Sequence, residues 1–100
     1  FKLPLDLVSG EVISARWKQW LKHDPVNLVS RYKKNLNSLK ALYIDCGRSD
    51  QFHIHFGTRQ LAQKLKLNSI RHTYHEFDGT HSGIDHRLDI SLPFLAQRLK

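Results

Sequence analysis

Apolar side chains at Ile13, Trp17, Trp20 and Leu21 recur at the i, i+4, i+7, i+8 spacing of a helix with one buried stripe. Ser9 and Glu11 suit the start of that helix. The pattern restarts at Asp24-Pro25, where Asp24 reads as an N-cap and Pro25 takes the first helical position, at which a missing N–H costs nothing. Val26, Val29, Tyr32 and Leu36 form the inner face of this second helix, and Arg31, Lys33 and Lys34 stay in water. Two helices therefore fill residues 11 to 36.

The period then changes. Leu39 to Cys46 is a compact apolar run ending at Gly47, as expected of a strand covered on both faces in a parallel sheet. A helix follows from about Gly57 to Lys66, with Leu61, Ala62 and Leu65 inward. Ile70 to Phe77, rich in β-branched and aromatic residues and stopped by Asp78-Gly79, reads as a second strand. Leu88, Leu92, Leu95 and Leu99 share one helical face, but Pro93 predicts a break, with Ser91 capping a final helix that holds Pro93 in its first turn. The element order gives an α/β fold with two parallel strands, flanking helices and a right-handed crossover. With no internal repeat or linker, residues 1–100 form one unit: a helical segment (1–38), then strand-helix-strand-helix (39–100).

Composition narrows the classes. No apolar run approaches the roughly 20 residues that span a bilayer, and no basic-then-apolar leader is visible. The chain opens on Phe1 rather than Met, so a trimmed start is expected. Cys46 is the only cysteine, which excludes an internal disulfide and favours a reducing, cytoplasmic compartment. The net charge of +7 is high for this length and suits an anionic partner.

In open α/β sheets the working residues lie just beyond the carboxyl ends of the strands. The first strand runs into Gly47-Arg48-Ser49-Asp50 and the second into Asp78-Gly79-Thr80-His81. Adjacent parallel strands thus deliver a carboxylate and an imidazole to one edge. In a Ser-His-acid triad the acid holds the imidazole tautomer, while the His takes the proton of the serine and returns it to the leaving group. Asp50 and His81 have the types and positions for acid and base. Asp50 alone reads as a turn or cap residue, and His81 alone as a surface histidine; each gains its catalytic reading from the other. Asp45, inside the strand, reads as a hydrogen-bonded structural carboxylate, and Cys46 as inert packing. His53, His55, His81 and His86 match no zinc spacing, and His72 and His75 fall on opposite strand faces.

"YIDCGRSDQF" followed by "EFDGTHSGIDHR" resembles the last third of serine esterases of the α/β-hydrolase superfamily, in the group of esterase D (S-formylglutathione hydrolase) and the enterochelin-esterase-like enzymes. There a strand ending in Gly-x-x-Asp-x-Phe supplies the triad acid, matched by Gly47, Asp50 and Phe52. A later His-Ser turn supplies the base, matched by His81 and Ser82. The similarity is best over residues 40 to 99; Thr80 stands where esterase D has an Asp. The resemblance implies a C-terminal portion of an α/β-hydrolase fold, a carboxylic-ester substrate and no cofactor. The Gly-x-Ser-x-Gly elbow of that superfamily is absent from these residues, since Ser9-Gly10 and Ser82-Gly83 lack its first glycine. The expectation is a piece that carries acid and base without the nucleophile and is inactive alone. Its sheet edge would be covered by the rest of the polypeptide or by a second copy.

A basic module for nucleic acid or another polyanion is the alternative. Arg31, Lys33, Lys34, Lys40, Lys64, Lys66 and Arg71 would face phosphates, and Trp17, Trp20 and Tyr32 would stack on bases. Against it, these cations scatter over helix exteriors and the tryptophans lie on an apolar stripe, where core packing explains them.

Overall fold

Residues 2–100, described by the computed structural model, form α1 (Ser14–Leu21), α2 (Pro25–Leu28), α3 (Lys33–Asn37), β1 (Tyr43–Gly47), α4 (Ile54–Leu67), β2 (Thr73–Phe77), a 3₁₀ turn (Asp85–Arg87) and α5 (Leu88–Leu99). Phe1, on which the trimmed start rests, lies outside the described residues. The strands pair in parallel, Tyr43 opposite Thr73 and Gly47 opposite Phe77, with α4 as the crossover. The fold is therefore mixed α/β, two parallel strands with flanking helices.

Both strands are shorter at their starts than the apolar runs suggest, and the end of α4 explains why. Ser69 adopts a left-handed conformation (φ 56°), the N–H of Ile70 donates to Leu65 O at 2.9 Å and that of Ser69 to Lys66 O at 3.0 Å. These two bonds are a Schellman cap, with Ser in place of the usual glycine. Ile70 (2% exposed) and Leu65 (1%) make its apolar contact. Ile70 thus terminates the helix instead of starting the strand. The first rung forms only where Thr73 N–H reaches Leu42 O at 2.9 Å, which leaves Leu39 to Ala41 without a ladder partner among the described residues.

The inner stripe of α4 is the expected one: Leu61, Ala62 and Leu65 pack inward, and Leu61 and Leu65 join Val29, Ile70, Leu36, Leu42 and Ile44 in the core. Asp24 caps α2 as expected, accepting from Val26 N–H at 3.0 Å. The single helix expected over Val26 to Leu36 is split, because the backbone leaves helical geometry at Tyr32 (φ −103°, ψ 19°). Ser9 does not start α1. It sits in a turn where Asp6 Oδ1 accepts from the N–H groups of Val8 and Ser9, and Gly10 (φ 76°) leads into the Leu5–Val12 bridge.

Two expected faces are not buried. Trp17 and Trp20 stay 44% and 41% exposed, and Leu88, Leu92 and Leu99 face outward from α5. That helix is continuous through Pro93, because the 3₁₀ turn nucleates it ahead of Leu88. Proline then removes one backbone bond within an otherwise intact ladder. The α5 face that does turn inward carries Ser91, Phe94 and Leu95, in line with Arg87 of the preceding turn. Phe94 packs against Tyr43, with ring centroids 5.2 Å apart.

Ion pairs tie the layers. Arg59 on α4 grips Glu76 on β2 through two bonds, 2.9 and 2.6 Å. The hydrogen bond from Arg59 lowers the Glu76 carboxyl from its ordinary 4.5 to about 2, against the opposing effect of burial. A depressed carboxyl stabilises the fold fully above its unfolded pKa and loses that contribution as pH falls through the folded value. Stability is therefore expected to fall between pH 4.5 and about 2, and Arg59→Met to flatten that part of the curve. Urea titrations across that range check both. No helix among the described residues is long and apolar enough to cross a membrane.

Candidate active site

β1 and β2 end level, so the turns leaving them emerge side by side. Arg48 N–H donates to Phe77 O and Ser49 N–H to Gly79 O, each at 3.0 Å, stitching the acid-bearing turn to the His-bearing one. Their approach requires glycine at position 47. A Cβ there would lie 2.5 Å from Gly79 O and 2.6 Å from Thr80 O, backbone atoms with no freedom to swing aside. Gly47→Ala is expected to push the second turn away and to cost about 1–3 kcal/mol, the range for overpacking a tight site. Thermal unfolding reads that loss.

Asp50 is 4% exposed. Its two oxygens divide the work. Oδ1 accepts from the N–H groups of Phe52 (2.8 Å) and Ile54 (3.3 Å), which caps the start of α4, and Oδ2 meets His81 Nδ1 at 2.8 Å. The helix consequently begins at Ile54, ahead of the expected Gly57, with His53 at a left-handed φ of 59° in the preceding turn. Burial raises the Asp50 pKa, but the hydrogen bonds from His81, Phe52 and Ile54 outweigh it and hold the carboxyl below its ordinary value. An ionised carboxylate only accepts, so Nδ1 of His81 carries a proton, and in the neutral ring it is Nε2 that presents the lone pair.

The imidazole is half exposed, and the Phe52 ring stands edge-on to it, 5.1 Å between centroids at 86°. Among the described residues no Ser, Thr or Cys side chain hydrogen-bonds His81 Nε2. Beside the pair lies a cleft of about 200 Å³ lined by Cys46, Asp50, Ile54, Phe77, Thr80 and His81. Chemically the arrangement is a base with a free nitrogen, oriented by a buried anion behind it.

Asp45 faces elsewhere. Arg87 Nε donates to its Oδ2 at 2.9 Å, and Tyr43 OH to the same oxygen at 3.2 Å, so it is a structural carboxylate, as its place inside the strand suggests. Arg87 lies over the Phe77 ring (4.4 Å) and anchors the 3₁₀ turn. Nothing in the sequence singles Arg87 out among the many cations. Cys46 is buried, its thiol pointing back to Gly47 O at 3.7 Å. His53 and His55 stand 6.0 Å apart, and His86 Nδ1 bonds Gly83 O at 3.0 Å. Among the described residues no three His, Cys, Asp or Glu side chains converge on a common point for a metal ion.

Sequence reasoning missed Gln51, whose side chain reaches across to the His81 turn. A solvent-facing glutamine carries no pattern that would mark it. The chain matches no protein-family model and no curated protein.

Proposed function

We propose that this chain is the C-terminal portion of a carboxylic-ester hydrolase with an α/β-hydrolase fold, and that it supplies the acid, Asp50, and the base, His81, of a Ser-His-Asp triad. The observation that carries the proposal is the 2.8 Å contact between Asp50 Oδ2 and His81 Nδ1 at the carboxyl ends of neighbouring parallel strands. That edge is where open α/β sheets work. The resemblance of Gly47-x-x-Asp50-x-Phe52 and His81-Ser82 to the esterase D group supports the same roles.

In the proposed cycle a serine from outside these residues attacks the ester carbonyl. His81 Nε2 takes the hydroxyl proton and passes it to the leaving alcohol, and Asp50 stabilises the imidazolium in between. Water then enters and gives a proton to Nε2 as its oxygen bonds to the acyl carbon; the bond to the serine oxygen breaks, that oxygen takes the proton back from Nε2, and a carboxylic acid leaves. Backbone amides for the oxyanion would also come from outside. No cofactor takes part.

A polyanion-binding module is the second reading, and the exposed Trp17 and Trp20 favour it. Scatter weighs against it: Lys33 and Lys34 lie on α3, Lys64 and Lys66 on α4, and Lys40 and Arg71 on the separate segments that precede the two strands. The test compares this chain with the longer polypeptide that holds the serine, using a short-chain nitrophenyl ester. Saturable turnover by the longer protein and background rates from the 100-residue chain are expected. Serine-reagent-sensitive turnover by the short chain alone would sink the proposal.

A further inference from the structure

Resting on that reading of the acid and base, we infer that Gln51 is a positioning residue that aims His81. The backbone N–H of His81 donates to Gln51 Oε1 at 3.0 Å, and Gln51 Nε2 donates to Ser82 Oγ at 3.4 Å. His81 is thus held by three consecutive residues of the other turn. Asp50 takes its ring nitrogen, Gln51 its amide, and Phe52 lies edge-on to the ring.

The His81 turn needs such an outside hold. It runs between Gly79 and Gly83, the latter at φ 66°; among the described residues other bonds from outside reach only those two ends, Ser49 N–H to Gly79 O and His86 Nδ1 with Gly83 O, while Thr80 Oγ1 to Ser82 O and Ser82 N–H to Thr80 Oγ1 tie the middle to itself. Glycine at both ends leaves the backbone between them many alternatives. A ring bound at Nδ1 alone can still pivot about that contact as its backbone shifts. Fixing the amide as well removes the pivot, so the free Nε2 keeps one direction. Small misplacements of a reacting group cost heavily in rate.

The test uses the intact protein with Gln51→Met, which keeps the length but removes both bonds, and Gln51→Glu, which keeps an acceptor for the His81 amide. Gln51 is exposed, so both variants should fold. Ester turnover and proton NMR of the His81 Nδ1–H are read together. In Gln51→Met, kcat should fall about ten- to a hundredfold with KM unchanged. The Nδ1–H should exchange with solvent at least about tenfold faster, by local opening of the turn, while the core amides of Leu65 and Ile70 keep their rates. Gln51→Glu should restore most of both. Unchanged kcat and Nδ1–H exchange in Gln51→Met, or equal loss in the two variants, would overturn the role of Gln51. Asp50→Asn is run beside them: if it leaves kcat untouched, the triad reading fails. If it abolishes turnover while Gln51→Met does nothing, only the positioning role fails.

Discussion

Asp50→Asn is expected to lower kcat for ester hydrolysis about 10⁴-fold in the intact protein while leaving the fold in place, the size of effect seen when a triad acid is neutralised. The reason lies in how its two oxygens are used. An asparagine can keep its carbonyl on the Phe52 and Ile54 amides, so the start of α4 survives. The NH₂ then faces His81 Nδ1, where it forces the imidazole to accept and puts the proton on Nε2. The base is protonated at the wrong nitrogen. Asp45→Asn makes the control, because that carboxylate meets Arg87 and Tyr43 and has no contact with His81. It should cost about 1.5–3 kcal/mol of stability, as expected when a hydrogen bond to a charged group is weakened, with kcat preserved. Steady-state kinetics and thermal melts on both variants separate the two carboxylates, and loss of turnover with Asp45→Asn alone would reverse their roles.

Much of this geometry was legible before the structure, for a physical reason. The apolar run into Gly47, the Asp78-Gly79 stop and the intervening helical stripe define a parallel crossover, and a crossover brings its two exit turns together whatever their sequences. Asp50 and His81 meet because the strands do. What the sequence hid depends on contacts with no local pattern. The Schellman cap at Ser69-Ile70 uses a serine where glycine would announce it, so Ile70 reads as a strand residue. The tryptophans of α1 and the leucines of α5 have correct helical spacing, yet spacing says only that a face is apolar and not what covers it. Gln51 acts across a turn, through a bond between residues thirty positions apart.

Much apolar surface stays exposed on α1 and α5. The accessible surface is 7736 Å², whereas a compact monomer of 11.7 kDa exposes about 5,900 Å². The radius of gyration, 16.3 Å, likewise exceeds the roughly 13 Å expected of a compact 100-residue domain. An apolar trough of about 380 Å³ between Leu28, Leu36, Leu42, Ile44 and Leu61 lies open, and among the described residues β1 pairs on one side only. A two-stranded sheet with an uncovered edge is a template for association. The 100 residues alone are therefore expected to be stable only when that edge is covered, by further polypeptide or by a second copy across a two-fold axis. Sedimentation over a dilution series, with tryptophan emission followed in parallel, should show association at high concentration and loss of structure on dilution. A monodisperse monomer with blue-shifted emission and cooperative unfolding at low concentration would contradict this.

The roles of Asp50 and His81 meet their most direct test in the labelling of the intact protein by a fluorophosphonate, which reacts only with a serine whose proton a neighbouring base removes. One serine outside residues 2–100 should be labelled rapidly and stoichiometrically, with the rate falling by orders of magnitude in His81→Ala and in Asp50→Asn. Labelling that proceeds at an unchanged rate in both variants, or none at all in a protein that still hydrolyses esters, would contradict the assignment of Asp50 and His81 as acid and base.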